Sequence, residues 1–495
     1  MSISIFTTLS IYSNELAELV RSFHPEISLK VLNKEMKHTD DADLQIRCLH
    51  EYIDDEVEIT IKYSIGQTNK QKYIKRYKTD AKEPKDIQRR HTKNNMKLFL
   101  YEVLEDYTGR SLDWGTLTGI RPVRIVHALM DNNLNELEVL SNLHRDYRIS
   151  PQKSQLILDI AKTQRLYFKD NHSKRISVYV NIPICKTKCL FCSFPSDTID
   201  NCSHLIDDYV TTLIKEMEIM SRWAKDKDIE VESIYVGGGT PTSLNIFQLE
   251  RVLKAIEDYW GHHQWMEYTV EGGRPDTMDS DKLKLMKDYN VTRISINPQT
   301  MSPDTLKTIG RGHTMEEIVH CFYLAKDMGF HSINMDVIVG LPGEGIDDVV
   351  NTMKSIRKLN PDNLTVHTLA IKRTSILKDK IDDYQFVNQE KASEMMKIFY
   401  DGATYMGMRP YYLYRQKYML GNMENIGFAL PSKESIYNMQ IMENRQSIWA
   451  FGAAAITRIY DSLEDRIDRV PNVKNIEEYI NRIDEMVDRK VKSIF

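Results

Sequence analysis

From residue 176 onward, short runs of β-branched and aromatic residues alternate with longer stretches in which apolar positions recur every three or four residues. The short runs predict strands at 176–182, 233–236, 267–271, 292–296, 332–339 and 364–369. The longer stretches, such as 209–223, 247–259 and 315–328, predict amphipathic helices. Repeated strand–helix alternation is typical of parallel strands joined by crossover helices, so the pattern predicts a partial (β/α)6 TIM-like barrel. In such barrels the reactive groups lie where the strands end and the next loops begin.

Two further regions flank the predicted barrel. Before it, alternation at 44–48 and 57–63 predicts strands, and a helical pattern begins near residue 86. After it, residues 388–405 and 475–490 have helical patterns. We therefore predict an α/β protein of three domains. These are an N-terminal α/β accessory domain at 1–165, the barrel core at 166–380, and a mostly helical C-terminal region at 381–495 that covers the substrate.

The composition is that of an ordinary globular protein, and it excludes several classes. The 495 residues suggest about three domains. With 66 Lys and Arg against 71 Asp and Glu, the formal charge is −5, so the chain has no global reason to coat nucleic acid or an anionic membrane. No apolar run approaches the ~20 residues of a membrane-spanning helix, and the N-terminus lacks the basic start of a secretory signal. We expect a cytoplasmic protein with no membrane span and no nucleic-acid partner.

Three of the six cysteines follow the first predicted barrel strand directly, in the spacing Cys185-x3-Cys189-x2-Cys192. Six cysteines in a chain of this length cannot form a disulfide framework. Three thiolates on one short loop can converge on a soft metal centre. Structural zinc sites usually take four ligands, whereas a four-iron cluster held by three cysteines keeps one iron open. The spacing favours such an open cluster, with a zinc site or three free buried thiols as the alternatives.

Glycines and polar residues follow the later predicted strands. Residues 237–239 are three successive glycines, which let a ligand approach the backbone closely. Glu271 ends the third strand, Gln299 follows the fourth, and Arg311 lies in the next loop. Asp336 lies within the apolar fifth strand, where a carboxylate is costly unless it is paired. The Arg311 guanidinium suits bidentate binding of a carboxylate.

These motifs resemble the radical S-adenosylmethionine (SAM) superfamily. CxxxCxxC after the first barrel strand is its signature, Phe191 before the last cysteine fits it, and residues 237–241 match its GGGTP loop. The resemblance implies a [4Fe–4S] cluster on Cys185, Cys189 and Cys192, whose open iron is chelated by the amino and carboxylate groups of SAM. It also implies that the reduced cluster cleaves SAM to methionine and a 5′-deoxyadenosyl radical, which abstracts hydrogen from the substrate.

Taken together, the motifs resemble the oxygen-independent coproporphyrinogen III oxidase or dehydrogenase family (HemN/HemZ-type). The similarity is greatest to its longer HemZ-type members, whose N-terminal domain has a TGIRP segment like residues 118–122. The resemblance implies that SAM is contacted by residues at the strand ends, namely Tyr179, Phe191, Gly238, Gly239, Thr240, Glu271, Gln299, Arg311 and Asp336. It also gives catalytic roles to Tyr179 and Glu271.

Two positions depart from the best-studied relatives, and one stretch departs from the haem-trafficking relatives. Asn181 replaces the His of their YxHIPFC pattern, and Phe194 stands where they have a fourth cysteine. HemZ-type members share this shorter cysteine pattern. Haem-trafficking relatives carry an HNxxYW motif, and the corresponding residues here, 437–442, lack its His and its aromatic pair.

The resemblance implies a radical SAM oxidoreductase of haem and porphyrin biosynthesis. Two propionates of coproporphyrinogen III would become vinyl groups, which gives protoporphyrinogen IX and requires an electron acceptor. A small reductase, flavodoxin or ferredoxin would donate electrons, and we expect a monomer. Candidates for binding the substrate carboxylates are Arg121, Arg124, Arg415 and Lys417. Two alternatives remain: radical SAM methyl transfer to, or ring opening of, haem, and a non-catalytic haem-binding chaperone.

Overall fold

The computed structural model describes most of the chain, namely residues 2–24, 28–32, 42–53, 56–65, 69–78, 84–119, 121–168, 174–261, 265–416 and 419–494. The chain divides into two compact units. The first comprises Met1–Asp159 with Arg415–Lys417, and the second comprises Ile160–Tyr414 with Tyr418–Phe495. The domain boundaries predicted at 165 and 380 stay predictions.

The first unit is built on a mixed β-sheet. Its elements, together with the helix in which the chain passes to the second unit, are β1 (Ser2–Thr7), α1 (Ser13–Phe23), β2 (Ser28–Leu32), β3 (Leu44–Ile53), β4 (Glu56–Ile65), β5 (Asn69–Lys78), α2 (Lys85–Thr108), α3 (Pro122–Asp131), α4 (Glu136–Tyr147) and α5 (Pro151–Arg165). The strand order is β2-β1-β3-β4-β5, with parallel pairing up to β3 and antiparallel pairing beyond it. The strands predicted at 44–48 and 57–63 are confirmed as parts of β3 and β4.

The second unit contains the predicted barrel. Its elements are β6 (Arg175–Ile182), β7 (Ile184–Cys185), β8 (Asp197–Thr198), α6 (Ile199–Cys202), α7 (Ile206–Asp226), β9 (Glu230–Gly238), α8 (Ile246–Trp260), β10 (Glu267–Gly273), α9 (Ser280–Asp288), β11 (Arg293–Ile296), α10 (Pro303–Thr308), α11 (Met315–Asp327), β12 (Ser332–Val339), α12 (Ile346–Leu359) and β13 (Asn363–Thr368). In the sheet, β6, β9, β10, β11, β12 and β13 are parallel neighbours in that order. The six predicted barrel strands are therefore confirmed.

The barrel strands are buried on both faces, as expected of parallel strands that are covered by helices. In β6 the apolar residues Val178 and Val180 alternate with Ser177 and Tyr179. Ser177 and Tyr179 stand beside Ser233 and Tyr235 of β9 in the parallel register. Polar and aromatic side chains therefore form columns on one face of neighbouring strands, and these columns lead to the C-terminal strand ends.

The remaining elements of the second unit are richer in helix than in strand, as predicted. They are α13 (Ile376–Asp379), α14 (Gln389–Tyr405), β14 (Arg409–Tyr414), β15 (Asn425–Ala429), α15 (Ile436–Glu443), β16 (Ser447–Phe451), β17 (Ile456–Asp461), β18 (Arg466–Pro471), α16 (Ile476–Asn481) and α17 (Ile483–Ile494). The helix predicted at 388–405 is confirmed, whereas 475–490 contains two helices that meet at Arg482. The sequence pattern did not predict the strands, which extend the barrel sheet beyond β13 and beyond β6. Among the helices that the structure describes, none is long and apolar enough to cross a bilayer.

Helix α15 covers the N-terminal ends of the barrel strands. Glu267, the first residue of β10, accepts a hydrogen bond from Ile436 N (2.7 Å) at the start of this helix. A carboxylate is favourable there because the amide groups of a helix start are unpaired and carry partial positive charge. Gln440 and Gln446 both donate to Glu232 Oε2, at 3.1 and 2.8 Å. This end of the barrel is thus filled by the C-terminal region, and the predicted site residues lie at the opposite end.

A fully buried ion pair connects the C-terminal helix to the barrel. Lys490 of α17 donates to Glu216 Oε1 of α7 (2.5 Å) and to the carbonyl of Ala450, and both charged side chains are entirely buried. Tyr479 and Asn472 donate to the same carboxylate at 2.6 and 3.0 Å. Burial lowers the pKa of Lys490, although the Glu216 carboxylate opposes that shift.

Replacing Lys490 with Met should lower the free energy of unfolding by about 3–5 kcal/mol, because the Glu216 carboxylate would stay buried without a countercharge. Urea-induced unfolding of the full chain measures this change. Lys492→Met, at an exposed position two residues further on, should change the stability by no more than about 0.5 kcal/mol. Equal stabilities of the two variants would show that the pair does not stabilise the fold.

Candidate active site

The loop that carries the three clustered thiols lies at the C-terminal end of β6. We call residues 185–196 the cysteine loop; its base is closed by the parallel pairing of β7 with β8. Further along, Leu190 N donates to the Ile309 carbonyl (3.0 Å), and Leu377 N donates to the Leu190 carbonyl (2.9 Å). The cysteine loop is therefore attached to segments that follow β11 and β13.

The predicted iron ligands are largely shielded from solvent, with Cys189 buried and Cys185 and Cys192 half-buried. Burial raises the pKa of the Cys185 and Cys192 thiols, and repulsion from the neighbouring sulfurs adds to the rise. Metal binding must therefore displace protons from these thiols. Within the described residues, no three His, Cys, Asp or Glu side chains surround a position for one metal ion. In an iron–sulfur cluster, by contrast, each thiolate binds an iron of its own.

The glycine run at the end of β9 packs against the base of the cysteine loop. Thr240 N donates to the Ile184 carbonyl at 2.8 Å. A Cβ at Gly239 would lie 2.6 Å from that carbonyl oxygen and 2.9 Å from Cys185 Sγ, so no larger residue fits there. Gly238 has φ +111°, a conformation that favours glycine. Three thiols beside a backbone without side chains fit an iron–sulfur cluster that holds an exchangeable ligand.

Two carboxylates, Glu271 on β10 and Asp336 on β12, are electrostatically coupled. The Tyr235 hydroxyl donates to Glu271 Oε1. Burial raises the pKa of Glu271 to about 7, and the nearby Asp336 carboxylate raises it as well. Asp336 Oδ1 accepts from Asn334 Nδ2 (2.7 Å), and Asp336 Oδ2 lies 3.7 Å from His367 Nε2. Glu271 is therefore half-protonated near neutral pH, and it can donate to or accept from a ligand.

Gln299 and Arg311 keep unused hydrogen-bonding atoms in the same region. Gln299 has φ +67°, held by the bond from its N–H to the Asp336 carbonyl (2.9 Å). Arg311 Nη1 donates to the carbonyls of Gly273 (3.3 Å) and Asn297. Among the described residues, Gln299 Oε1 and Arg311 Nε are buried and have no hydrogen-bond partner. Because such atoms are costly to leave unpaired, they fit a polar ligand such as the amino-acid end of SAM.

Three stacked tyrosines lie below these carboxylates. The Tyr235 ring lies 4.4 Å from that of Tyr437 on α15 and 6.2 Å from that of Tyr179, at interplanar angles of 22° and 27°. The Tyr179 hydroxyl donates to Asn181 Oδ1 (3.0 Å). Sequence reasoning did not assign Tyr235, although its parallel register with Tyr179 is a usable signal. It gave no signal for Tyr437, which reaches the stack from a distant part of the chain.

The structure thus brings the predicted site residues into one connected region at the C-terminal strand ends. Contacts or electrostatic coupling link this set: Tyr179, Cys185, Cys189, Cys192, Gly238, Gly239, Thr240, Glu271, Gln299, Arg311 and Asp336. Phe191 is half-buried on the cysteine loop between two of the thiols. The roles of all these residues stay predictions.

The roles of the four cations predicted to bind substrate carboxylates stay predictions. Arg121, Arg124 and Arg415 belong to the first unit. In that unit Arg415 Nη1 donates to the Leu117 carbonyl (2.6 Å), and its guanidinium lies 4.9 Å from the centre of the Trp114 ring. Lys417, like the Ile of the TGIRP segment, lies outside the described residues.

The chain is similar to several known proteins. A sequence model of the radical SAM superfamily matches residues 179–356. The oxygen-independent coproporphyrinogen-III oxidase-like protein HemZ of Bacillus subtilis is 36% identical over 430 residues, which cover 86% of this chain and 85% of HemZ. The heme chaperone HemW of the same organism is 29% identical over 318 residues, 62% of this chain and 76% of HemW. The structure of coproporphyrinogen III oxidase (HemN) from Escherichia coli superposes with a TM-score of 0.52 at 23% identity, over 66% of this chain and 73% of HemN.

The raised pKa of Glu271 should make stability fall with pH. Between the ordinary value of 4.5 and about 7, the folded state holds a proton that the unfolded state releases. Stability is therefore lost as the pH rises through this window. Glu271→Gln cannot titrate, so its stability should not show this loss. The difference in the free energy of unfolding between Glu271→Gln and the wild type should therefore shift in favour of the variant by on the order of 3 kcal/mol between pH 4.5 and pH 8. Urea unfolding of the apo-protein across this range measures the gain.

Asp336→Asn provides a second variant for the same measurement. Removing the neighbouring carboxylate should lower the pKa of Glu271 and so narrow the pH range over which stability is lost. Parallel pH profiles for the wild type and Glu271→Gln would show that Glu271 titrates at its ordinary value.

Proposed function

The chain belongs to the HemN/HemZ-type family of the radical SAM superfamily, and from this premise we propose that it is an enzyme that acts on a tetrapyrrole. The reaction we propose is oxygen-independent oxidative decarboxylation of the coproporphyrinogen III propionates to vinyl groups. We further propose that it binds a [4Fe–4S] cluster through Cys185, Cys189 and Cys192, and SAM beside that cluster. A small reductase, flavodoxin or ferredoxin would reduce the cluster.

The observation that carries the proposal is the packing of the cysteine loop on the glycine run, next to buried polar atoms without partners. Thr240 Oγ1 lies 3.8 Å from Cys185 Sγ. On its other side, the Thr240 side chain lies 3.7 Å from where a Cβ of Gly273 would be, and Gly273 O accepts from Arg311. Thr240 and Gly273 therefore connect the thiols and the glycine run to the free Nε of Arg311. This is the neighbourhood that a cluster with a chelating amino acid requires.

Each residue then has a role that follows from its chemistry. The thiols hold three irons, and the bare backbone at Gly238 and Gly239 lets the ligand lie close to the strand end. Arg311 Nε is a buried donor for a carboxylate, and Gln299 Oε1 is a buried acceptor for an amine or hydroxyl. When bound and reduced, the cluster and SAM supply a radical that abstracts hydrogen.

The stacked tyrosines and the carboxylates shape the space below the cofactors. Tyr437 is buried, and Tyr179 and Tyr235 are half-buried in the same stack. The stacked rings limit the access of water to the barrel interior, which protects reactive species from side reactions. Glu271 has a pKa of about 7 and can exchange a proton at neutral pH. In the proposed reaction, each propionate loses one hydrogen atom, one electron and carbon dioxide. The electron must pass to an acceptor.

One observation favours the enzyme over a haem chaperone. Residues 437–442, which stand at the place of the HNxxYW motif of haem-trafficking relatives, lie within α15. Tyr437 is 4% exposed and Met439 is fully buried. Side chains enclosed beneath a barrel are poorly placed to accept haem, whereas Tyr437 is well placed as part of the barrel interior.

Cys189→Ala should abolish cluster assembly, because a cluster with two thiolate ligands is poorly held. The measurement is iron per chain and visible absorbance after anaerobic reconstitution with iron and sulfide. Cys202→Ala and Cys321→Ala are matched controls. Cys202 Sγ donates to the Thr198 carbonyl (3.2 Å), and Cys321 is buried within α11. Both controls should keep the wild-type iron content, and full iron in Cys189→Ala would contradict the ligand assignment.

The reconstituted protein, given SAM, dithionite, coproporphyrinogen III and an electron acceptor without oxygen, should form 5′-deoxyadenosine and a product lighter by two carbon dioxide molecules and four hydrogen atoms. Mass spectrometry detects both. Formation of 5′-deoxyadenosine with a methylated or opened haem, and none with coproporphyrinogen, would support the other enzymatic alternative. Haem binding without SAM cleavage would support the chaperone.

A further inference from the structure

We infer that Arg274 and Asp276 are positioning residues that hold the cysteine loop in the shape needed for cluster binding. This inference rests on the proposed function, because it concerns the loop that would carry the cluster. It names two residues with a role that the ligand and SAM-contact assignments above do not include. Neither residue is proposed to touch substrate or reacting atoms.

The Arg274 side chain is the direct link. It is 2% exposed, and its Nη1 donates to Thr187 Oγ1 at 2.6 Å and to the Thr187 carbonyl at 3.4 Å. Thr187 Oγ1 in turn donates to the Gly310 carbonyl at 3.2 Å. An exposed threonine between the first two cysteines of the loop is thus bound by a buried guanidinium.

Asp276 orients this guanidinium and adds a second link. Its carboxylate accepts from Arg274 Nε (3.0 Å) and Nη2 (3.3 Å), a two-point geometry that fixes the plane of the guanidinium. Lys186 Nζ lies 3.1 Å from Asp276 Oδ2 and donates to its carbonyl. Although burial opposes ionisation, hydrogen bonds from His313 and Arg274 hold the pKa of Asp276 far below its ordinary value, so the carboxylate stays charged.

A bulge in the backbone of β10 directs Glu271 and Arg274, which lie three residues apart, to different parts of the site. The register with β11 shifts between Glu271 and Gly273, and Gly273 has φ +63°. Such a bulge re-aims the side chains that follow it. Glu271 consequently reaches Tyr235 inside the barrel, whereas Arg274 reaches the cysteine loop.

The contacts of Arg274 and of the Leu190 backbone lie on both sides of Cys189 in the cysteine loop. Cys189 lies between two attached residues, Thr187, which is held by Arg274, and Leu190, which is held by backbone bonds to Ile309 and Leu377. The middle thiol is therefore fixed from both sides before any metal binds. Preorganised ligands of this kind reduce the conformational entropy lost on binding.

The contacts of Arg274 and Asp276 with the cysteine loop are direct, because Arg274 binds Thr187 and Asp276 binds Lys186. The purely structural alternative is an ion pair that stabilises the barrel and has no effect on the loop.

The first experiment tests loop geometry in the apo-protein, without any cluster. The cysteine loop contains the exposed residues Lys186 and Lys188, so trypsin cleavage there reports local opening. Arg274→Lys keeps the charge but not the forked contact to Asp276 and Thr187. It should raise the cleavage rate at these sites by about tenfold. Thr187→Val, at an exposed position that tolerates substitution, should raise the rate as well.

Arg293→Lys is the matched control. Arg293 is also buried, at 5% exposure, and it binds the Lys433 carbonyl and Asn363 Oδ1 at the opposite end of the barrel. This variant should leave cleavage of the cysteine loop at the wild-type rate. If Arg274→Lys and Thr187→Val also cleave at the wild-type rate, the positioning role is wrong.

The second experiment measures the reconstituted cluster. Arg274→Lys and Thr187→Val should lose iron to a chelator several-fold faster than the wild type and Arg293→Lys. Their reduced clusters should also give broader electron paramagnetic resonance spectra with SAM, because the ligands are less uniformly held. If the wild type takes up no iron, the proposed function and this inference both fail. If all four proteins hold iron equally well with identical spectra, only this inference fails.

Discussion

The site depends on the absence of a side chain at Gly239, where the end of β9 touches the start of the cysteine loop. A Cβ there would come within 2.9 Å of Cys185 Sγ. The parallel register of β6 and β9 places Ile182 opposite Gly238, so both loops leave the sheet at the same level. One loop supplies thiols and the other supplies bare backbone. A bound ligand can therefore contact both at once, and the other site residues are arranged around that junction.

The residues around the junction are held in states that are costly without a ligand. The Glu271 carboxyl has a pKa of about 7 beside Asp336, Gln299 has a left-handed backbone, and Arg311 Nε is buried without a partner among the described residues. Strain and unpaired polar atoms of this kind occur at functional sites because binding removes their cost. These residues lie on β10, on β12 and in the segment between β11 and β12.

The barrel could be predicted because the sequence pattern that specifies each strand and helix is local. Each barrel strand is an apolar run followed by a helical pattern, and the reactive motifs stand at the strand ends, so sequence order is enough to bring Cys185 and Glu271 to one end. β15 and β16 could not be predicted in this way, because they join the barrel sheet through β13 and β6, which lie far from them in the chain. The same reason hides Tyr437, whose place in the tyrosine stack depends on α15 being fixed by Glu267. Arg274 was visible only as a charged residue near a glycine pair, since its partner Thr187 is 87 residues away.

Asn181 shows how a departure from the family pattern fits this chain. Its Oδ1 accepts from the Tyr179 hydroxyl (3.0 Å), and its Nδ2 donates to the Ala453 carbonyl (2.5 Å) that follows β16. An amide can accept on one side and donate on the other at this spacing, and its Oδ1 occupies the space that Gly238 leaves free. The strand end that precedes the cysteine loop is thereby bonded to the C-terminal region. Since β16 also pairs directly with β6 and places Ala450 opposite Tyr179, that region forms a part of the barrel wall and fixes the strand that carries Tyr179.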